Sequence, residues 1–257
     1  MNIGVFDSGL GGLTVLKSLI KKLPEYHYIY YGDNARVPYG NRSKETIYKF
    51  TKEAIDFLAS KNCQLIIIAC NTSTSTALKK IQNEYLPIKY PDKRVLGVIK
   101  PAVEYLKENN YKKIGIVGTK ATISSEAYIR EIKKLLPTAI VFQKACPLLV
   151  PYIEDSSRNK KVLDLLLDEY LTGFKNNIDA LLLACTHYEI IEQEIKATVG
   201  NKIEVISQGK LVAEKLLDYL RKHPEIESQL EKTGKVDYFF SDSNSDFKKL
   251  MKLFLDG

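Results

Sequence analysis

The sequence predicts an α/β protein of two similar domains, each a mainly parallel sheet flanked by helices, with the active site in the cleft between them. Three observations predict it. Short apolar runs alternate with amphipathic stretches along nearly the whole chain, as strand–helix–strand units require. The apolar runs are continuous, the mark of strands covered on both faces. Two stretches also occur twice. IGVFDSG at 3–9 echoes IGIVGTK at 114–120, and LIIIACNTS at 65–73 echoes LLLACTHY at 181–188. The offset is 111 residues for the first pair and 115 for the cysteines of the second. The first domain is expected from residues 1–97 plus 208–257, and the second from 98–207. The chain would cross between them in GVIKP at 97–101 and ISQG at 206–209.

The elements follow in order. Residues 3–6 read as a strand, followed by a Gly-rich turn and a helix through Leu13, Leu16 and Ile20. Residues 28–31 are a second strand, and Ile47, Phe50, Ala54, Phe57 and Leu58 recur at helical spacing. Strands at 65–69 and 95–99 flank a helix through Ala77, Leu78, Ile81 and Tyr85. The pattern then restarts. A strand at 113–117 leads into a loop at 119–122, and Ile129, Ile132 and Leu136 form a helical face. Residues 139–142 read as a strand, 163–167 as helix and 180–184 as a strand. Ile191, Ile195 and Val199 mark a helix that Gly200 caps. A strand at 203–206 precedes a helix through Leu211, Leu216 and Leu220. A strand at 237–240 and a helix through Phe247, Leu250 and Phe254 end the pattern.

Composition bounds the function. In 257 residues, 45% hydrophobic and 27% charged, no apolar run reaches the roughly 20 residues that span a bilayer. The N-terminus reads directly as strand and turn, so a cytoplasmic protein without membrane contact is expected. Cys63, Cys70, Cys146 and Cys185 are far apart and predict free thiols. The net charge of +7 comes from Lys-Lys pairs scattered along the chain, which read as a solvated surface. No nucleic-acid-binding signature accompanies them.

In open parallel sheets, ligands bind beyond the carboxyl ends of the strands. Asp7-Ser8, Cys70-Asn71-Thr72, Thr119 and Cys185-Thr186-His187 all fall there. Two thiols on opposite sides of one carbon acid can racemise it, one taking a proton while the other returns one from behind. Each thiol then needs a neighbour that tunes it, Asp7 for Cys70 and His187 for Cys185. Cys63 and Cys146 lack such surroundings and read as structural. DSGLGG at 7–12 lacks the spacing and the lysine of nucleotide-binding loops. It reads as a tight turn whose N–H groups hold a carboxylate.

Taken together, FDSGLGGL, YYGDNARVPYG, ACNTSTS, GTKAT and LACTHY resemble the glutamate racemases, cofactor-independent members of the aspartate/glutamate racemase superfamily. The likeness runs from Asn2 to about Leu220. It implies Cys70 and Cys185 as the acid/base pair, assisted by Asp7, His187 and Glu154 of VPYIED. It also implies that Ser8, Tyr39, Gly40, Asn71, Thr72, Thr119, Thr122 and Thr186 bind the substrate's ammonium and carboxylates. The implied substrate is glutamate, with no cofactor and no metal. The implied product is D-glutamate for bacterial peptidoglycan, and the implied assembly a homodimer. Asn71, Thr72, Thr119 and Thr122 could equally cap the helices that follow them. Two places depart from the family pattern. Tyr188-Glu189 stands where an aromatic residue and proline are usual, and Ser207-Gln208-Gly209-Lys210 replaces a Ser-Gly pair followed by a small or acidic residue. The first bears on the start of the next helix, the second on the seam or the dimer. The other readings are a racemase for aspartate or another acidic amino acid, and a non-catalytic ligand-binding or zinc protein using Asp7, Cys70, Cys185 and His187.

Overall fold

The computed structural model describes residues 1–155, 159–242 and 247–256, with 247–250 and 256 described by backbone alone. The side chains of Phe247 and Leu250, expected on the last helical face, therefore lie outside the described residues.

Two sheets form. The first contains β1 (Asn2–Asp7), β2 (Tyr28–Gly32), β3 (Cys63–Ile68), β4 (Arg94–Gly97) and β9 (Val236–Phe240), in the order β4-β3-β1-β2-β9. The second contains β5 (Lys113–Gly118), β6 (Ile140–Ala145), β7 (Ala180–Ala184) and β8 (Glu204–Ile206), in the order β6-β5-β7-β8. The pairings described in both sheets are parallel. Read from its other edge, the second sheet repeats the first without β9.

The repeat extends to register. Ile3 pairs with Leu65 and Val5 with Ile67. Shifting the first partners by 111 and the second by 115 gives Ile114 with Ala180 and Ile116 with Leu182, which are the observed pairs. The faces do not repeat. Leu65 and Ile67 join a core cluster that runs across to Leu181 and Leu183 of β7. Ala180 and Leu182, counterparts of Leu65 and Ile67, point instead into a cluster on the far side of the second sheet. Alternate residues of a strand face opposite ways, so β3 and β7 each feed two clusters and read as unbroken apolar runs. Burying an Ile or Leu side chain this way is worth roughly 1.5–3 kcal/mol.

Three local expectations are corrected. The strand at 95–99 ends at Gly97, and Ile99–Glu108 is helical, because Ile99, Ala102, Val103 and Leu106 form one buried face. Pro101 sits in its first turn, where no N–H is needed. The segment 119–122 is not a loop: Thr119 accepts from the backbone N–H of Thr122 and caps the helix Lys120–Ser124. In the helix Ala127–Leu135, Tyr128 and Ile132 form the fully buried stripe, and Ile129 and Leu136 are only half buried. Gly200 does end the helix Glu192–Val199, at φ 92°, a backbone state that side chains disfavour.

Candidate active site

Cys70 follows β3 and is the N-cap of the helix Asn71–Lys80, its sulfur accepting from the backbone N–H of Ser73 at 3.4 Å. The cap is thus neither Asn71 nor Thr72. Cys185 follows β7 at the matching place and precedes a short 3-10 segment, Thr186–Ile191. Both sulfur-bearing residues line one narrow cleft of about 60 Å³. Ser8, Tyr39, Gly40, Asn71, Thr72, Thr119, Glu154, Thr186 and His187 line it too.

Two expected residues do not. Asp7 is fully buried beneath the cleft. Its Oδ2 accepts from the N–H of Gly9 at 2.9 Å, and its Oδ1 from the hydroxyl of Thr186 at 3.4 Å. The carboxylate held by the DSGLGG turn is therefore the chain's own. Thr122 is buried behind Thr119, in a hydroxyl cluster with Thr72 and Thr119 at 2.9–3.4 Å. Tyr39 reaches the cleft, but its hydroxyl is committed to Asp33, leaving ring and backbone to face a ligand.

The surroundings of the two thiols are opposite in charge. Burial, and next the Asp7 carboxylate, push the Cys70 thiol up to about 11. The thiol donates to the Ser8 hydroxyl at 3.4 Å. Burial also raises Asp7, against the pull of nearby His187. Beside Cys185 stands a cation. Burial works against charge on His187, yet hydrogen bonds to Cys185 and Glu154 outweigh it and hold the imidazole at about 10. The Glu154 contact is 2.8 Å, from the last residue of the helix Leu149–Glu154. Glu154, His187 and Cys185 thus form a chain along which a proton can be held.

Close approach between the strand ends depends on two glycines. A Cβ on Gly11 would lie 2.3 Å from the Thr186 hydroxyl and 2.4 Å from the His187 ring. A Cβ on Gly40 would lie 2.6 Å from Thr119.

The structure adds residues that sequence reasoning missed. Cys146, read as structural, follows β6 and lines the cleft. Its position beyond a strand end was the available signal. Phe254 of the C-terminal helix Phe247–Asp256 packs edge-on against His187, with ring centroids 5.2 Å apart. No local pattern announces that contact. At the first departure from the family pattern, Tyr188 is fully buried and donates to the Cys146 carbonyl at 2.9 Å, and the α-helix begins only at Glu192. At the second, Gln208 bonds Asn71 across the seam at 2.8 Å. Among the described residues no His, Cys, Asp and Glu side chains converge as a metal site, and no helix is long and apolar enough to cross a membrane.

Comparison with known proteins finds relatives over nearly the whole chain. The family model for Asp/Glu/Hydantoin racemase matches residues 3–216. The chain is 39% identical to a glutamate racemase of Aquifex aeolicus, over 99% of this chain and 94% of that protein. It is 40% identical to glutamate racemase 2 of Caldanaerobacter subterraneus, over 98% and 92%. Among solved structures, glutamate racemase from Francisella tularensis in complex with D-glutamate superposes with a TM-score of 0.88 at 34% identity, covering 100% of this chain and 94% of that one.

Proposed function

The chain belongs to the Asp/Glu/hydantoin racemase family, and from that premise we propose that it interconverts L- and D-glutamate by a two-base mechanism without a cofactor. The observation that carries this reading is the pair of thiols at matching strand ends of two like sheets, both lining one cleft, one beside a carboxylate and one beside an imidazolium.

One sulfur, as thiolate, takes the Cα proton. The other, as thiol, gives a proton to the opposite face. The amino acid leaves inverted with all its atoms, and the two sulfurs have exchanged roles. Charged His187 stands beside Cys185, and its bond to Glu154 keeps the ring in place. Burial first, and then Asp7, keep the proton on Cys70, ready to donate. The hydroxyls of Ser8, Thr72, Thr119 and Thr186 and the Asn71 amide line the walls and suit a zwitterion with a second carboxylate. The narrow cleft keeps bulk water from reprotonating the carbanion at random. In this reading the product supplies peptidoglycan synthesis in a bacterial cytoplasm, and the enzyme works as a homodimer.

The test is a chiral assay with purified, reduced protein, either enantiomer of glutamate, D2O and nothing else added. Decay of optical signal with deuterium entering Cα of the product is expected. Absence of both would overturn the reading. Faster turnover of aspartate in the same assay would move the substrate assignment within the family.

A further inference from the structure

Beneath the cleft lies a closed ring of three side chains. The Tyr128 hydroxyl donates to Asn71 Oδ1 at 2.5 Å, the Asn71 amide donates to Gln208 Oε1 at 2.8 Å, and the Gln208 amide donates back to the Tyr128 hydroxyl. Each member gives one hydrogen bond and takes one. All three are buried, at 0–4% exposure.

The three residues come from three separate places. Asn71 opens the helix after β3 and directly follows Cys70. Tyr128 is on the helix Ala127–Leu135, which belongs with the second sheet. Gln208 caps the helix Gly209–Lys222, where the chain crosses the seam after β8. The ring therefore ties the Cys70 turn to the half that carries Cys185. Tyr128 also lies within electrostatic reach of Cys185: burial first, and then that thiol, push its phenol up.

Resting on the two-thiol reading above, we propose that Tyr128 and Gln208 are positioning residues that set the separation of the Cys70 and Cys185 sulfurs. Neither lines the cleft; they act through Asn71. A buried ring in which each member gives one hydrogen bond and takes one favours a single geometry, because stretching any link leaves a polar group unpaired. Proton transfer on both faces of one carbon is sensitive to separation at the scale of an ångström. The Gln208 departure from the family pattern has its use here, in supplying both a donor and an acceptor.

The experiment compares wild type with Tyr128→Phe, which removes one hydroxyl, and Gln208→Leu, which removes both amide groups. Each variant is expected to lower kcat by about tenfold or more in both directions while KM moves far less. The double variant should be little slower than either single one, since one break opens the ring. In D2O the variants should also wash deuterium into unconverted substrate faster, relative to inversion, than wild type does. A thiol that has removed the proton then exchanges it with D2O while its displaced partner is slow to deliver from behind, and returns deuterium to the same face. Should Gln208→Leu fail to fold, Gln208→Glu keeps the size, loses the donor and is expected to behave alike. Variants that melt earlier but keep wild-type kcat and the wild-type ratio of exchange to inversion would reduce the ring to a structural tie and overturn the proposal. A wild-type protein inert toward acidic amino acids would instead strike the parent reading.

Discussion

The two halves share strand order, pairing register and a cysteine just beyond the matching strand, yet their thiols sit in different surroundings. Cys70 is capped into a helix start, beside Ser8 and above the buried Asp7. Cys185 precedes a 3-10 segment and bonds a charged imidazole. The difference teaches that a duplicated scaffold supplies matching positions, while side chains from elsewhere make the positions chemically distinct. His187 is local to Cys185, but Glu154 arrives from another helix, and Phe254 from the last one. Asp7 reaches the other way and accepts from Thr186 of the opposite half.

The largest expected effect tests whether both halves are needed. Cys70→Ala and Cys185→Ala should each lower racemisation in both directions by roughly 10²–10⁴-fold, the range of a lost acid/base group. Retention of near wild-type kcat by either variant would make the halves unequal in a way the two-base reading does not allow. Next in size is the fit between them. Gly11→Ala drives a methyl into Thr186 and His187, and Gly40→Ala drives one into Thr119, so each should cost about 1–3 kcal/mol in denaturant unfolding. Gly173→Ala, with nothing within 4 Å, should stay within about 0.5 kcal/mol.

The electrostatic contrast gives smaller, pH-dependent effects. His187 has a folded-state pKa of about 10 against an ordinary value of 6.5. Its contribution to stability is complete below about 6.5 and is lost as pH rises through about 10. Tm should fall across that window in wild type and fall less in His187→Asn. Equal slopes would mean that the imidazole is not held charged. On the other side, Asp7→Asn removes the charge that helps push Cys70 up. Iodoacetamide should then label Cys70 several-fold faster at pH 8–9, read by peptide mass spectrometry. An unchanged rate would show that burial alone controls this thiol.

Some of this was legible in the chain and some was not. The strands were, since residues such as Ile66, Ile67, Leu181 and Leu182 are apolar without interruption. Cys70 and Cys185 were legible because each stands at a strand's carboxyl end in a repeated context. Glu154 was found only through family resemblance, because it closes a short helix far along the chain from any strand end. Tyr128 escaped because its helix was read on Ile129, Ile132 and Leu136, of which only Ile132 is fully buried, and an aromatic with a polar tip does not announce which end it buries. Thr119 caps its helix, one of the readings offered for it, and also lines the cleft.

The sequence by itself determined the alternation of strand and helix, the repeated stretches and the two cysteines at strand ends, because these depend on periodicity and on residues close in the chain. Only the tertiary structure decided which faces of the sheets meet, so that Leu65 and its counterpart Ala180 point into different cores. It alone decided that Asp7 lies under the cleft rather than in it, and that Asn71, Tyr128 and Gln208 close on one another. Such contacts join groups 57 to 179 residues apart. Their partners are selected by packing and by the need to pair every buried polar atom, which no local pattern encodes.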